Sequence, residues 1–487
     1  MIVSDSEPSL SNAHNHLRSL EANSGAAFAR KLALKIDPKN APRMHLFAWN
    51  TFLGARDDVN SLGPQLQRPQ PITGLLPKAD MQSLTAVYFD KIDPVYGFVD
   101  RQELEWHVEN RWMNPELHGP YDGVLCGVAA LGCLYSNVKP GPVERSLVQA
   151  ARSILEASLS DIPTMASITA WALRVTYLRI TGTPHMAWMA SCVLMHMVEA
   201  GGLHCEPSKD TVLPLARDDI DPEVRRRLFG VAKHLNTWMS FDIGRSRVVL
   251  HNATTIVPSP RPGDYTAELM ELLPYVEILD PGRAPEPAEL EAALDTILRR
   301  THTVPPSILA RCNLVLCLCR RLKSLNAAFT APLLEQILSV TLEGIQAARS
   351  LLEQRAPWHH MANIPFQVVC ILLAIDTYAS ISQLREAMDC LSNVAAVYKT
   401  EATQEALGTA SLLILLHQKR KERCASRLRE ILEQYPVPDG ENARGTSCAP
   451  QLEDLGWLSG LTAEIPSLQD IDFDQFLNPD LYWNVGN

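Results

Sequence analysis

Long apolar segments and processing signals are missing from this sequence of 487 residues. The longest apolar runs, such as the one beginning at Val368, are much shorter than the about 20 residues that a helix needs to cross a bilayer. The N-terminal segment has neither the basic stretch nor the apolar core of a secretory signal. We therefore expect a soluble, intracellular protein that does not contact a membrane.

Catalytic and phosphate-binding motifs are also missing. No His-Glu-x-x-His pair, Gly-x-Ser-x-Gly elbow or Walker A loop occurs in the sequence. Ala-Arg-Asp-Asp occurs twice, from Ala55 and from Ala216, and acidic pairs bind magnesium diphosphate in the all-helical terpene cyclases. However, no further carboxylate follows Asp57 and Asp58, and the Asp221 that follows the second copy has a better use as a helix cap. We expect no catalytic residue, and a helical enzyme is the weakest of three hypotheses.

Metal-binding patterns are absent as well. None of the eleven cysteines is paired at Cys-x-x-Cys spacing, and none precedes Cys126. The densest group, Cys312, Cys317 and Cys319, lies in an apolar stretch that is typical of a core helix. Isolated histidines such as His359 and His360 are more often packed than ligating. We therefore predict no metal site or other cofactor in this chain.

Positive charge is in short supply, since the formal net charge is -11. Binding to nucleic acid depends on Lys and Arg displacing the counterions of phosphates, so the chain alone is not expected to bind DNA. A basic run of five residues from Lys419 fits either a nuclear import signal or the exposed face of a long helix. The sequence favours the helix face.

Helical periodicity dominates what is present. Thr183 followed by Pro184, and Asp221 followed by Pro222, are typical helix starts, and Gly201 is a typical helix stop. Alternating strand patterns are scarce. We predict an all-α, multi-helical fold with helices near 121–135, 144–158, 164–180, 184–200, 222–238, 306–324, 331–356, 366–398 and 402–433.

Three proline-rich or polar stretches divide the chain. They predict a flexible N-terminal arm and linker over 1–79, a helical body over 80–434 and a linker with a tail over 435–487. Within the body, a proline-rich linker over 257–290 is expected to join two halves. We hypothesise that two packings of these halves about that linker expose or mask the tail.

The tail over 451–487 has no Lys or Arg but several carboxylates and bulky side chains. Carboxylates that repel one another keep aromatic groups solvated until these fold into a groove of a partner, which is the pattern of activation segments. The alternative is a tail that docks Trp483 onto the body, and the sequence favours neither. The candidate activation residues are Phe473, Phe476, Leu477, Leu481, Tyr482 and Trp483.

Five stretches, beginning at Ser24, Tyr88, Ala187, Glu223 and Asn363, occur in the order found in one known family. They resemble the regulatory (middle homology) domain of fungal binuclear zinc-cluster transcription factors, in the branch of the cutinase and xylanase activators. The similarity runs from about Gly25 to Arg429. The motif residues, for which the resemblance implies a scaffold role, are Pro94, Tyr96, Phe98, Asp100, Arg101, Arg226, Arg227, Gly244, Arg245, Pro365 and Phe366.

The resemblance implies regulation of RNA polymerase II transcription of pathway-specific genes in a fungal nucleus. Its implied partners are a coactivator or the transcription machinery at the tail, a related factor in a homodimer or heterodimer, and a small-molecule effector. The six-cysteine cluster that reads DNA in this family has no counterpart in the chain, so zinc is expected only if a cluster is encoded upstream. The alternative is a clusterless protein that modulates its full-length relatives.

The run Arg225, Arg226 and Arg227 raises the question of a phosphate site. Successive residues point in different directions around a helix, so the three side chains do not share one ligand. We expect at least one to bond carboxylates of neighbouring helices, and the turn at Gly244 and Arg245 to satisfy carbonyls at the helix end.

Overall fold

The computed structural model describes residues 24–42, 50–56, 70–116, 118–136, 139–206, 221–280, 283 and 285–435. Within these ranges the chain forms helices and no strand, which confirms the all-α prediction. The first nine helices are α1 (Gly25–Ile36), α2 (Ile72–Leu75), α3 (Lys78–Lys91), α4 (Arg101–Met113), α5 (Asp122–Ser136), α6 (Pro142–Ala157), α7 (Met165–Thr181), α8 (Pro184–Ala200) and α9 (Pro222–Asp242). The others are α10 (Thr266–Met270), α11 (Leu273–Val276), α12 (Pro287–Leu298), α13 (Pro305–Ser324), α14 (Ala331–Glu353), α15 (His360–Ile375), α16 (Tyr378–Ser382), α17 (Leu384–Tyr398) and α18 (Glu401–Gln434).

Local capping chemistry sets several of these boundaries. Thr183 accepts a hydrogen bond from the Met186 amide at the start of α8, and Asp221 accepts one from the Glu223 amide at the start of α9. Gly201 follows the last residue of α8, and the chain turns away at Gly202, which has a φ of 69°. The predicted starts and stop are therefore confirmed.

The single helix predicted over 366–398 is wrong. The chain forms α15, α16 and α17 there, because Asp376 adopts a left-handed φ of 62° and Thr377 forms a capping box with Ser380. Helix α15 also begins before Pro365, which lies inside it. The capping residues therefore end the helix, although the apolar pattern of the sequence continues past Asp376.

One contiguous hydrophobic core runs through the described residues from Ala29 to Leu416. Helices α5, α13 and α15 are buried over most of their surface, and they are surrounded by amphipathic helices that bury one face each. Cys312, Cys317 and Cys319 are fully buried on α13, as a core helix requires. Cys192, on α8, is half-buried.

Parts of the predicted N-terminal arm over residues 1–79 pack against the body. Helix α1 packs against α15 and α18, and α2 packs against α5 and α6. Arg56 is fully buried, and its Nε donates to Glu144 Oε1 on α6 at 2.8 Å. These segments belong to the body because they complete its core.

The prediction of a linker over 257–290 is also wrong for its central part. Residues 266–279 form α10, α11 and a 3-10 turn, and their apolar side chains are buried in the common core. Pro258 is buried as well. A hinge needs few contacts with its surroundings, so this packing removes the basis for our hypothesis of two alternative packings about the linker.

Several predictions concern residues outside the described ranges. These are the activation residues Phe473, Phe476, Leu477, Leu481, Tyr482 and Trp483, and the acidic residues Asp57, Asp58, Asp218 and Asp219. Helix α18 ends near the predicted boundary, and its residues 421–434 are exposed. Among the described helices, none has the length and apolar character to cross a membrane.

Candidate effector cavity and the arginine framework beside it

The three consecutive arginines at the start of α9 point to three different places. Arg225 Nη2 donates to the Gly202 carbonyl at 3.3 Å. Arg226 forms a two-point ion pair with Glu206, with distances of 2.9 Å and 2.7 Å. Arg227 is buried, and its Nε donates to Asp264 at 2.6 Å. Two of the three thus bond carboxylates, but Glu206 and Asp264 lie in the segments after α8 and before α10 and not in neighbouring helices as expected.

Glu223 joins two of these arginines. Its carboxylate accepts from Arg226 at 2.6 Å, from Arg227 at 2.8 Å and from the Ser259 amide at 2.8 Å. Burial acts to raise the pKa of Glu223, but hydrogen bonds from the Ser259 amide, Arg227 and Arg226 lower it to about 2. This network, which we call the arginine framework, ties the start of α9 to Glu206 and to the segment before α10.

The motif between α3 and α4 lies against the arginine framework. The Pro94 carbonyl accepts a hydrogen bond from the Tyr265 amide at 2.6 Å. Tyr96 is buried between Trp358 and His234, with ring centroids at 5.1 Å and 6.0 Å. Burial and the nearby Asp264 raise the pKa of Asp93 to about 7, although Arg101, Arg227 and Arg261 oppose this shift. The motif therefore packs onto α9 and does not project into solvent.

The remaining motif residues between α3 and α4 have local structural roles. Phe98 is buried in the core. Asp100 caps α4 by accepting from the Glu103 amide at 2.8 Å, and the guanidinium of Arg101 lies 4.0 Å from the ring centroid of Phe89. Asp100 and Phe98 also line the cavity described below.

The Gly-Arg turn ends α9. Gly244 has a φ of 63°, a left-handed conformation that glycine adopts without strain, and the Arg245 amide donates to the Ser240 carbonyl at 2.7 Å. The main chain of Arg245 thus satisfies a helix-end carbonyl, while its guanidinium lies 5.8 Å from the ring centroid of Trp188. Pro365 and Phe366 are buried within α15, so neither is available to a ligand.

A cavity of about 920 Å³ lies next to the start of α9, and we call it the effector cavity. One side of α4 along its whole length, the segment leading into α5 and the starts of α7 and α9 form its walls. Its apolar lining comes from Phe98, Val99, Leu125, Met165 and Val224. This volume lies in the range of sites that bind one small organic molecule.

Aromatic rings form one side of the effector cavity. His107 stacks on Tyr121 with centroids 3.6 Å apart and an interplanar angle of 13°, and Trp106 meets His107 edge-on at 4.8 Å. Trp106 is 61% exposed and lines the cavity. Burial lowers the pKa of His107 despite the opposing effect of Asp122, which favours a neutral ring at neutral pH. A flat ligand therefore finds stacking partners here.

Negative charge prevails among the polar lining residues. The buried ion pair of Arg111 Nε with Asp122 Oδ1, at 2.8 Å, neutralises one carboxylate. Asp100, Glu103 and Asp221 add three more carboxylates to the lining. The amide nitrogen of Asn110 is buried beside the cavity without a hydrogen-bond acceptor among the described residues. The lining favours a ligand that carries positive charge and an acceptor.

Sequence reasoning missed this cavity. Asp100 was singled out as a motif residue, but Trp106, His107, Asn110 and Tyr121 were not. Three of them are aromatic or polar residues of α4, a pattern that a hydrophilic helix also shows, and Tyr121 lies in the segment before α5. The start of α9 is more than a hundred positions away in sequence, so no local pattern connects it to α4.

The cysteines do not fit a metal cluster. Within the described ranges, no group of three or more His, Cys, Asp or Glu side chains is arranged to hold a metal ion. Burial raises the pKa of Cys312, Cys319 and Cys370 to about 12, so these thiols are protonated at neutral pH. The thiols of the core therefore pack as small apolar groups.

Known fungal proteins resemble the chain over most of its length, although no protein family model matches it. The RDR1 protein of Gibberella zeae is 52% identical over 98% of this chain and 87% of its own length. Transcription factor kojR of Aspergillus oryzae is 38% identical over 96% of this chain and 81% of its own length. The RDR1 protein of Saccharomyces cerevisiae is 34% identical over 84% of this chain and 75% of its own length.

Proposed function

The chain belongs to the family of fungal transcription factors that includes kojR and the RDR1 proteins, and from this premise we propose that it controls a pathway-specific set of genes in a fungal nucleus. The observation that carries the proposal is similarity along nearly the whole chain, at 98% coverage by one relative and 96% by another. In this proposal the helical body binds a small-molecule effector, and the tail recruits the transcription machinery or a coactivator.

DNA contact is assigned to another polypeptide segment. The net charge of -11 opposes binding to phosphates, and the sequence contains no paired cysteines for a zinc cluster. Either a cluster encoded upstream or a full-length relative bound as a dimer partner supplies the contact. The second route makes the chain a modulator of its relatives, which is the alternative function.

The tail is proposed to recruit the transcription machinery or a coactivator. We expect the full chain, fused to an unrelated DNA-binding domain, to raise reporter expression at least tenfold. Replacing Phe473, Phe476, Leu477, Leu481, Tyr482 and Trp483 by alanine should remove this rise, because a partner groove binds aromatic side chains that carboxylates keep solvated.

A matched control replaces exposed apolar residues elsewhere on the chain. Ile162 is 85% exposed and Tyr378 is 84% exposed, and changing both to alanine should leave reporter output within twofold. Equal output from the tail variant and the unvaried fusion, at equal protein levels, would reject an activation role for the tail.

The effector cavity is proposed to receive a small, flat organic cation. Its aromatic side offers stacking and cation–π contacts, and its carboxylates offer charge complementarity. Bound ligand would contact α4 and the start of α9 together, so it would stabilise the arrangement that the arginine framework holds.

Thioflavin T, a planar aromatic cation, tests the chemistry of the effector cavity. We expect its fluorescence to rise on binding the full chain and the affinity to fall about threefold in Glu103→Gln, which removes a lining charge worth a few tenths to one kcal/mol at an exposed site. Glu105→Gln, on the same helix but outside the lining, should bind like the unvaried chain. Equal loss in both variants, or tighter binding of the anion 1-anilinonaphthalene-8-sulfonate, would contradict the assignment.

A further inference from the structure

Helix α18 continues past the edge of the body. Between residues 402 and 417 it buries one face in the core, whereas every residue over 421–435 is exposed. At about 1.5 Å per residue, the exposed part projects about 21 Å. A helix of this length gains most of its stability from packing, so an exposed end that is apolar on one side calls for a partner.

The exposed part of α18 has an apolar side that continues its buried face. Four residues of the buried face are at most 5% exposed, namely Ala406, Ala410, Leu413 and His417. Eighteen residues further on, which is about five turns at 3.6 residues per turn, stand Cys424, Leu428, Ile431 and Tyr435. Leu428, Ile431 and Tyr435 are 61%, 54% and 69% exposed, and Cys424 is exposed as well. We call these four residues the exposed seam.

The spacing within the exposed seam indicates that its partner is a helix. The four residues follow one another at intervals of four, three and four, which is the a and d pattern of a two-stranded coiled coil. Ala425 and Leu432 border the seam on one side and add apolar surface. A seam of this width is covered by one helix, whereas packing on a broad surface requires a wider apolar face.

A second copy of α18 offers a matching seam, and the position of the body decides how the two helices run. Each body packs on the seam side of its own α18, and paired helix axes lie only about 8–10 Å apart. In a parallel pair both bodies would therefore need the same space. In an antiparallel pair the bodies lie at opposite ends, and each exposed part lies beside the other.

One antiparallel register matches every layer of the exposed seam. With Leu428 opposite Ile431 of the second copy, Cys424 lies opposite Tyr435, and symmetry repeats both layers. Ala425 then lies opposite Leu432, which keeps the border apolar. The two body edges, at Arg420, are about 28 Å apart along the helix axis, so the register leaves room for both bodies.

Charge favours the same orientation. Residues 419–429 contain six Lys or Arg and one acid, whereas residues 430–434 contain two acids and no base. A parallel pair would place the two basic stretches side by side, but the antiparallel register places each acidic end beside a basic stretch. Arg427 already contacts Glu430 of its own helix at 2.9 Å, so this preference comes from the two stretches as wholes and not from a new ion pair.

We propose that the chain forms a symmetric dimer in which residues 424–435 of α18 pair antiparallel with the same residues of a second copy. Four layers bury less than the roughly 1,200 Å² of a standard interface, so we expect a dimer that dissociates in the micromolar range. The proposal goes beyond the proposed function, since it involves neither the tail nor the effector cavity and can fail without them.

Sedimentation equilibrium of the full chain tests the dimer. We expect the mass to rise with protein concentration from the 54.0 kDa of one chain towards twice that value. Leu428→Glu with Ile431→Glu should raise the dissociation constant at least tenfold, because a carboxylate is costly to bury without a partner. Both side chains project beyond the body, so these changes should leave its fold intact.

The matched control makes the same kind of change elsewhere on the surface. Ile162 and Tyr378 are 85% and 84% exposed, and Ile162→Glu with Tyr378→Glu should leave the dissociation constant within twofold. A mass of one chain at every concentration would overturn the proposal, including the case in which another segment of the same molecule covers the seam. Association that survives Leu428→Glu with Ile431→Glu would overturn it as well.

Disulfide cross-linking tests the orientation. In the proposed register the two Cys424 residues lie about 16 Å apart along the axis, which is too far for a disulfide, whereas Tyr435→Cys introduces a thiol opposite Cys424. With oxidised glutathione, we expect a cross-linked dimer on a non-reducing gel for Tyr435→Cys and none for the unvaried chain. A cross-link in the unvaried chain, or its absence in Tyr435→Cys, would overturn the antiparallel register.

Discussion

Glu144→Ala is expected to lower the free energy of unfolding by about 3–5 kcal/mol, which is the cost of removing one partner from a buried ion pair. The guanidinium of Arg56 lies 2.8 Å from Glu144, and both side chains are at most 1% exposed. Tyr177 donates a further hydrogen bond to the same carboxylate oxygen at 2.7 Å. Urea unfolding followed by tryptophan fluorescence measures the loss.

A double-mutant cycle separates the pair from its surroundings. Arg56→Met with Glu144→Leu replaces both charges by apolar groups of similar size, and we expect it to cost less than Glu144→Ala alone. Tyr177→Phe should cost about 1 kcal/mol, as one hydrogen bond does. Additive losses from the single variants Arg56→Met and Glu144→Leu would show that the two side chains are not coupled.

Acidification is expected to destabilise the protein below about pH 6.5. His234 on α9 and the adjacent His359 and His360 are at most 3% exposed. Burial lowers the pKa of all three, to about 3 for His234, and the guanidinium of Arg179 adds to the effect. Unfolded histidines titrate near pH 6.5, so the unfolded state takes up protons that the folded state does not bind. The contribution of these histidines to stability is therefore complete above pH 6.5 and is lost as the pH falls.

Two buried carboxyls act in the opposite sense. Burial raises the pKa of Asp93 to about 7 and also raises the pKa of Asp242, although its partner Arg179 opposes the latter shift. Because the folded state protonates these carboxyls at a higher pH than the unfolded state does, they stabilise the folded state as the pH falls. They therefore offset one or two of the three protons that the histidines of the unfolded state take up. The net expectation is a loss of about 1.4 to 2.8 kcal/mol per pH unit below pH 6.5, measured by urea unfolding at several pH values.

His360→Phe isolates one of these protons. Neither ring nitrogen of His360 has a hydrogen-bond partner among the described residues, so an apolar ring of similar size fits the site. The pH dependence should become shallower by about 1.4 kcal/mol per pH unit. Trp238→Phe changes the ring beside His234 without removing a titrating group, so it should lower stability and leave the slope unchanged. An unchanged slope in His360→Phe would mean that His360 does not contribute to the acid sensitivity.

The sequence was sufficient for most of the helices because their ends are local events. Thr183 and Asp221 cap helices with their own side chains, and the apolar stripes behind them repeat with helical spacing. The break at Asp376 was missed because the apolar pattern continues across it. Its signal was the Thr377 and Ser380 capping box, which the sequence contains.

Prolines misled the division into domains. Between Pro258 and Pro287 the chain reads as a linker, but the apolar side chains of α10 and α11 fill the core. Similarly, Leu32 and Ile36 lie on one face of α1, and this spacing already indicated a packed helix within the supposed arm. Burial of short segments depends on the space that distant helices leave, which a local pattern does not contain.

The candidate sites were harder to find because they join residues that are distant in sequence. Glu103 and Asp221 line one cavity although 118 positions separate them. Lys31 and Arg420, from opposite ends of the described chain, line a second, smaller cavity. Only the chemistry of single motifs, such as the diverging arginines of α9, was predictable from local geometry.

The buried guanidinium of Arg56 has a practical consequence for recombinant work. A fragment that begins at residue 80 would retain Glu144 but lose Arg56. It would also expose to solvent the surfaces of α15 and α18 that α1 covers. We expect such a fragment to aggregate, so it is unsuitable for crystallisation or ligand screening. A fragment for such work should therefore begin at Ser24 or before it.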